Sequence, residues 1–263
     1  MKIVVCIKQV PDTTDVRIDP ETNTLVREGV PSIVNPFDEF AIEEGLRIRE
    51  KCGDSVTVIT MGPPQADDVL RTALAMGVDS VALLSDRAFA GADTLATSYV
   101  LSRGVEKVGD VDIVITGKQA IDGDTAQVGP GIASRLGYTQ LTYVSKVEEI
   151  DPGEGHIVVE RLIDGGRERV EGKLPALLTV VKDINVPRQP SILKKKKARN
   201  AEIPVWGATD IDADFDMIGQ KGSPTWVEKV FSPEQKTGGE VFEGDPDELA
   251  GRIAELLMEL MSE

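Results

Sequence analysis

Val111-Asp-Ile-Val-Ile-Thr-Gly-Lys-Gln-Ala-Ile-Asp-Gly-Asp-Thr-Ala-Gln-Val-Gly129 runs from an apolar stretch through a glycine-bearing polar loop into a helical pattern. Residues 111–116 are apolar without strict alternation, which suits a strand buried on both faces of a parallel sheet. Residues 124–136 then read as a helix, with Asp124 expected as its N-cap and Gly137 as a left-handed C-terminal cap. A strand handing over to a helix in this way is the building unit of α/β folds.

The same unit recurs upstream. Residues 3–7, 55–60 and 80–84 are strand-like and rich in Val and Ile. Helical patterns occupy 38–51, 64–76 and 93–107, with Asp93 placed as an N-cap and Gly53 and Gly77 as C-terminal caps. The rhythm predicts an α/β domain with a doubly wound, mostly parallel, Rossmann-like sheet. One connection is out of proportion. About thirty residues separate the first strand from the first helix, far beyond the usual βα loop. Within it, Val16-Arg-Ile18 and Thr24-Leu-Val26 flank Asp19-Pro-Glu-Thr-Asn23, a hairpin pattern. Long loops after strand carboxyl ends are where such folds keep ligand contacts.

From Thr139 the pattern changes to residues 141–147, 156–163, 167–171 and 176–181, joined by turns such as Asp151-Pro-Gly153 and Asp164-Gly-Gly166. These are expected to form an antiparallel extension, or edge strands, on the main sheet. After Asp183 regular patterning stops. A proline-extended segment and the cluster Lys194-Lys-Lys-Lys197 lead into a Gly- and Pro-broken stretch. The chain closes on a capped helix, with Asp245 at the N-cap, Pro246 at the first position and Glu248 nearby. Its apolar stripe is Leu249, Ile253, Leu256 and Leu260. The domain division read from this is 1–184 for the Rossmann-like domain, and 185–263 for a loop and C-terminal arm ending in the helix.

Composition narrows the function. The 263 residues carry 41% hydrophobic residues, enough for a sizeable core, and a formal net charge of −16, which argues against gripping nucleic-acid backbone. Two cysteines, Cys6 and Cys52, and one histidine, His156, offer neither a disulfide framework nor a metal-ligand spacing. No signal peptide or membrane-length apolar run is seen, so a cytoplasmic protein without membrane insertion is expected.

The loop 117–129 offers a phosphate three things: backbone N–H groups at a helix start, Gly123 and Gly129 for close approach, and polar groups on Thr125, Gln119 and Gln127. It is neither a Walker loop nor a dinucleotide fingerprint. An ordinary capped turn, Asp124 with Gln127, accounts for the same residues.

Gly117-Lys-Gln-Ala-Ile-Asp122 with Asp124 and Gln127 resembles the nucleotide motif of the electron-transfer flavoprotein beta subunit. Val5-Cys-Ile-Lys-Gln-Val-Pro11, Asn35-Pro-Phe-Asp38, Arg71-Thr-Ala-Leu-Ala-Met-Gly77 and Pro187-Arg188 before the lysines follow the same family in order. The resemblance covers nearly the whole chain. It implies nucleotide contacts at Cys6; at Asn35, Pro36, Phe37 and Asp38; at Met61; and at Gly117, Lys118, Gln119, Ala120, Ile121, Asp122, Gly123, Asp124, Thr125, Ala126, Gln127 and Val128. It further implies an alpha-subunit partner that carries its own FAD.

Ordinary members hold a structural AMP in this subunit, whereas electron-bifurcating members hold a second FAD. Gly123, Ala126 and Val128 resemble the bifurcating type, as does Gly222-Ser-Pro-Thr-Trp-Val-Glu-Lys-Val-Phe231. The resemblance then implies FAD here, NADH as donor, ferredoxin or flavodoxin as one acceptor, and an acyl-CoA or related dehydrogenase behind the alpha subunit. No side chain is expected to act as a catalytic residue. Ile192, with Leu193 beside it, matches the aliphatic anchor for the dehydrogenase, while a solvated linker remains the plain reading of that segment. The terminal helix is expected to pack on its own domain or on the alpha subunit, the latter favoured by the resemblance. An ATP-using hydrolase-like enzyme is the third reading, without its usual ATP loop.

Overall fold

The computed structural model describes residues 1–12, 32–52, 54–228 and 242–262. The expected hairpin at 16–26, the cap at Gly53 and residues 229–231 of the tail motif lie outside the described residues. At the two ends of the long connection, β2 (Gln9–Pro11) and β3 (Ser32–Val34) pair antiparallel.

Four apolar runs form parallel strands, β1 (Lys2–Ile7), β4 (Ser55–Met61), β5 (Ser80–Leu84) and β6 (Ile113–Gly117). Alternate residues of β1 reach opposite faces, as the period of two requires. Ile3 and Val5 join one core with Ile42 and Leu46 of α1 (Pro36–Cys52) and Leu70 of α2 (Asp67–Met76). Val4 and Cys6 join a second core with Val100 of α3 (Thr94–Val108) and Ile132 of α4 (Val128–Leu136). Burying each such Val, Leu or Ile contributes about 1.5–3 kcal/mol. Two helices on each face make the sheet doubly wound, as expected.

The caps are mostly where the sequence puts them. Asp93 Oδ1 accepts from the amides of Leu95 (2.9 Å) and Ala96 (3.0 Å), and Gly77 and Gly137 end their helices in the left-handed region. Asp124 is a correction. Its φ is +52°, and α4 begins only at Val128 with Gln127 as N-cap.

β7 (Thr139–Asp151), β8 (His156–Ile163) and β9 (Gly166–Lys173) form the expected antiparallel meander. β10 (Ala176–Val180) corrects the reading of that region as edge or extension throughout. It lies inside the sheet, parallel to β6 on one side and to β7 on the other, and all five of its residues are buried. Among the described residues the sheet has nine strands, in the order β11-β5-β4-β1-β6-β10-β7-β8-β9, where β11 is Val205–Trp206.

The chain does not leave the body after 184. Arg188 grips α1 through Glu43 (2.8 and 2.9 Å) and Glu50 (2.6 Å). α5 (Ile192–Arg199) is a helix where irregular chain was expected, and β11 (Val205–Trp206) adds a parallel edge to β5. Ala208, Ile211 and Ile218 then complete the second core. α6 (Pro246–Ser262) starts with the Asp247 amide bonded to Asp245 Oδ1 at 3.0 Å. Its Ile253, Leu256 and Leu260 are exposed, so among the described residues nothing covers the stripe. No described helix is long and apolar enough to cross a membrane.

Candidate functional site

The order of strands reverses at β1. From β1 the chain winds outward through β4 and β5, then returns to β6 on the opposite side of β1. Open α/β sheets leave a crevice beyond the carboxyl ends of the strands at such a point. Here the crevice has the start of α1 on one face and the start of α4 on the other.

Asp38, in the first turn of α1 and 5% exposed, ties the two central strands together. Its Oδ2 accepts from the Lys8 amide just past β1 (2.7 Å), and its Oδ1 accepts from the Gly117 amide at the end of β6 (3.0 Å). The fit is close enough to require glycine, because a Cβ on Gly117 would sit 2.6 Å from Phe37 Cβ. Burial pushes the Asp38 carboxyl up to about 7, although hydrogen bonds from Asn35, Lys8 and Gly117 pull the other way.

Asn35 organises the loop. Its Nδ2 donates to the Gln119 carbonyl (2.9 Å), and its Oδ1 accepts from the Ile121 amide (3.1 Å). Lys8 Nζ pairs with Asp122 at 2.7 Å, and Gln119 donates to Asp124. Asp124 and Ala126 then adopt φ of +52° and +55°, and Gln127 returns to right-handed backbone. Alternating hands turn successive N–H groups toward one side, a concavity that suits an anion. Left-handed backbone at a residue other than glycine costs on the order of 1–3 kcal/mol and gathers at ligand sites.

The loop delivers the chain to α4, whose start has no side-chain cap, since Gln127 Oε1 instead accepts from Thr94 Oγ1 at 2.9 Å. The Val128 and Gly129 amides there can face a phosphate, an interaction worth about 0.3–1 kcal/mol when exposed and up to about 2 when partly buried. Pro130 carries no N–H, and the Gly131 amide donates to the Gln127 carbonyl at 2.9 Å. Gly129 lets the helix start press between two strand ends. A Cβ there would lie 2.7 Å from Thr179 Cγ2 and 2.9 Å from Thr116 Oγ1.

The structure thus brings Asn35, Pro36, Phe37, Asp38 and the run from Gly117 to Val128 to one crevice, with Cys6 and Met61 on the neighbouring strands β1 and β4. Burial, with a smaller contribution from the Asp38 charge, pushes the Cys6 thiol up, so it stays protonated and inert. Ile192 and Leu193 stand apart on α5, 86% and 80% exposed. Two participants escape a sequence reading. Lys8 was legible only as the residue just past a strand's carboxyl end. Tyr143, whose ring lies 5.3 Å from Lys118 Nζ, carries no local signal at all. Among the described residues no cluster of three or more His, Cys, Asp or Glu is arranged to hold a metal ion.

Residues 22–211 match the model of the electron transfer flavoprotein domain. The chain is 54% identical over 259 residues to the electron transfer flavoprotein subunit beta of Thermoanaerobacterium thermosaccharolyticum, covering 98% of each. It is 51% identical to the protein FixA of Azorhizobium caulinodans over 238 residues, 89% of this chain and 85% of that one. It is 49% identical to the caffeyl-CoA reductase-Etf complex subunit CarD of Acetobacterium woodii over 261 residues, 98% of each. A match over most of the chain, with relatives above 30% identity along nearly its full length, makes this chain a member of the electron transfer flavoprotein family, on the beta-subunit side.

Proposed function

We propose that the crevice between the starts of α1 and α4 holds FAD, and that the chain works as the beta subunit of an electron-bifurcating flavoprotein. The observation that carries this reading is the open loop at Gly123, where an added Cβ would meet nothing within 4 Å and no carboxylate projects. An acidic side chain at that position would repel a diphosphate, while glycine leaves both space and charge neutral.

When bound, FAD would take a hydride from NADH and supply the single-electron steps toward ferredoxin or flavodoxin and toward the FAD of the alpha subunit. The chain's own residues do the rest. Asn35 and Asp38 fix the loop against α1. The amides of residues 125–129 receive the phosphates, and buried Cys6 lines the strand beneath without thiol chemistry. CarD, by its name, belongs to a caffeyl-CoA reductase complex, which supports a CoA-ester dehydrogenase as the final partner. Ile192 on α5 would insert into that partner, and the exposed stripe of α6 would pack on the alpha subunit.

Counting cofactors in the purified alpha–beta pair tests the proposal. Two FAD per pair are expected, together with NADH-driven ferredoxin reduction when the CoA-ester dehydrogenase and its substrate are present. One FAD and one AMP per pair, with no ferredoxin reduction, would replace it with the ordinary carrier.

A further inference from the structure

Tyr143 is a strand residue in a conformation strands avoid. Its φ is +58°, in the left-handed region, where its pairing with β10 shifts register. The shift is a β-bulge, and a Tyr is a costly residue for its left-handed position, where glycine would fit without strain. Its amide donates to Thr179 Oγ1 (3.1 Å), and Thr179 is the same side chain that Gly129 of α4 presses against. The strained residue is therefore built into the floor beside the α4 start.

The ring has a specific neighbour. Lys118 Nζ lies 5.3 Å from the Tyr143 centroid and 5.7 Å from that of Phe37, which comes from the first turn of α1. Phe37 and Tyr143 thus both bring aromatic rings to one ammonium just past the end of β6. Among the described residues the Lys118 ammonium makes no ion pair, in a chain of net charge −16 where acids outnumber bases. Its backbone is fixed too, since the Lys118 amide donates to the Val180 carbonyl at 2.8 Å. Two rings lie within cation–π range of the ammonium, and its three N–H donors remain available to a ligand.

We infer that Tyr143 is a specificity-determining residue. With Phe37 it clamps Lys118 over the crevice, so that the ammonium pairs with the second phosphate of a dinucleotide. A nucleoside monophosphate, seated on the α4 amides, gains nothing from it. This rests on the nucleotide reading of the crevice and deepens it, because the clamp selects a diphosphate ester over AMP. The backbone strain at Tyr143 is the cost of putting a ring at that spot.

The test uses the alpha–beta pair stripped of nucleotide, with affinities for FAD and AMP at this subunit measured by calorimetry. Tyr143→Gly removes the ring and relieves the backbone, so FAD affinity should fall about tenfold while AMP affinity stays within about twofold. The melting temperature of the stripped pair should not fall, which separates loss of the clamp from loss of the fold. Tyr143→Leu should show the same selective loss, and Tyr143→Phe should retain wild-type preference. In a double-mutant cycle, Lys118→Met should cost far less in the Tyr143→Gly background than alone. A wild-type pair that prefers FAD while Tyr143→Gly and Tyr143→Leu keep that preference overturns the clamp alone. Equal weakening of both nucleotides also overturns it, and so does additivity with Lys118→Met. A wild-type pair that prefers AMP, or binds neither, overturns the cofactor reading and the clamp with it.

Discussion

Asp38 shows how one side chain couples the site to the fold. The folded chain holds its proton more tightly than the unfolded chain, because burial raises the carboxyl to about 7 from 3.8. Stability from the protonated form is therefore fully present below about pH 4 and is lost as pH rises through about 7. The difference is on the order of 4 kcal/mol at most. Asp38→Asn carries no proton to lose, so its denaturation midpoint should lack that fall between pH 4 and 7. It should also be offset by about 1–3 kcal/mol, because the amide cannot accept from both the Lys8 and Gly117 N–H groups. Denaturant titrations of both proteins at four pH values check this, and parallel pH profiles would refute it. At this scale much of the site was legible, since Asn35, Asp38 and Gly117 sit where strand ends and helix starts were evident. Asp124 was misread because a good N-cap residue is equally good in a left-handed turn, and its local sequence does not decide between them. Tyr143 and Lys118 lie 25 residues apart in sequence, and only the pairing of β7 beside β10 brings them together.

Among the elements, α5 was the least visible. It is lysine-rich, and only Ala198 is buried, so no apolar stripe marks it as a helix. Beside the Ser191 cap and buried Ala198, a side chain from another helix braces it. The Arg71 guanidinium of α2 donates to the carbonyls of Ala198 (3.1 Å), Arg199 (2.9 Å) and Ala201 (2.9 Å) while pairing with Asp67 (2.9 Å). Ala198 and Arg199 close α5, and a cation is favoured at a helix's carboxyl end. Arg71→Ala should release α5, and trypsin should cut among Lys194–Lys197 about tenfold faster while the core stays intact. An unchanged cleavage rate would show that α5 holds without the clamp. Ile192→Ala, by contrast, should leave that rate alone and weaken only electron delivery to the dehydrogenase. β10 was legible as a strand but not as a central one. Its Ala-Leu-Leu-Thr-Val run is as apolar as β6, yet a pattern reports burial and not which neighbours a strand will choose.

Seen as a whole, the molecule is one packed body with an uncovered helix. On α6, Ile253 (54% exposed), Leu256, Leu257 and Leu260 form an apolar stripe that no part of the described body covers. Such a stripe on a strongly acidic chain calls for a partner. The double variant Leu256→Asp/Leu260→Asp should therefore abolish co-purification of the alpha subunit while leaving the melting of this chain on its own unaltered. Retained co-purification at wild-type yield would place the alpha subunit elsewhere. The sheet order was beyond the sequence for a reason of scale, because β11 has only two residues, too few for any periodicity.

β10 also governs how the chain is made. β6 and β7 flank it but never pair with each other, and the strand that joins them is synthesised after the whole β7–β9 meander. A released chain that ended at Lys173 would present two bare edges facing an empty slot, each a template for another chain's strand. Stalled or truncated products ending between the meander and β10 are the forms that chaperones would have to shield from pairing with one another.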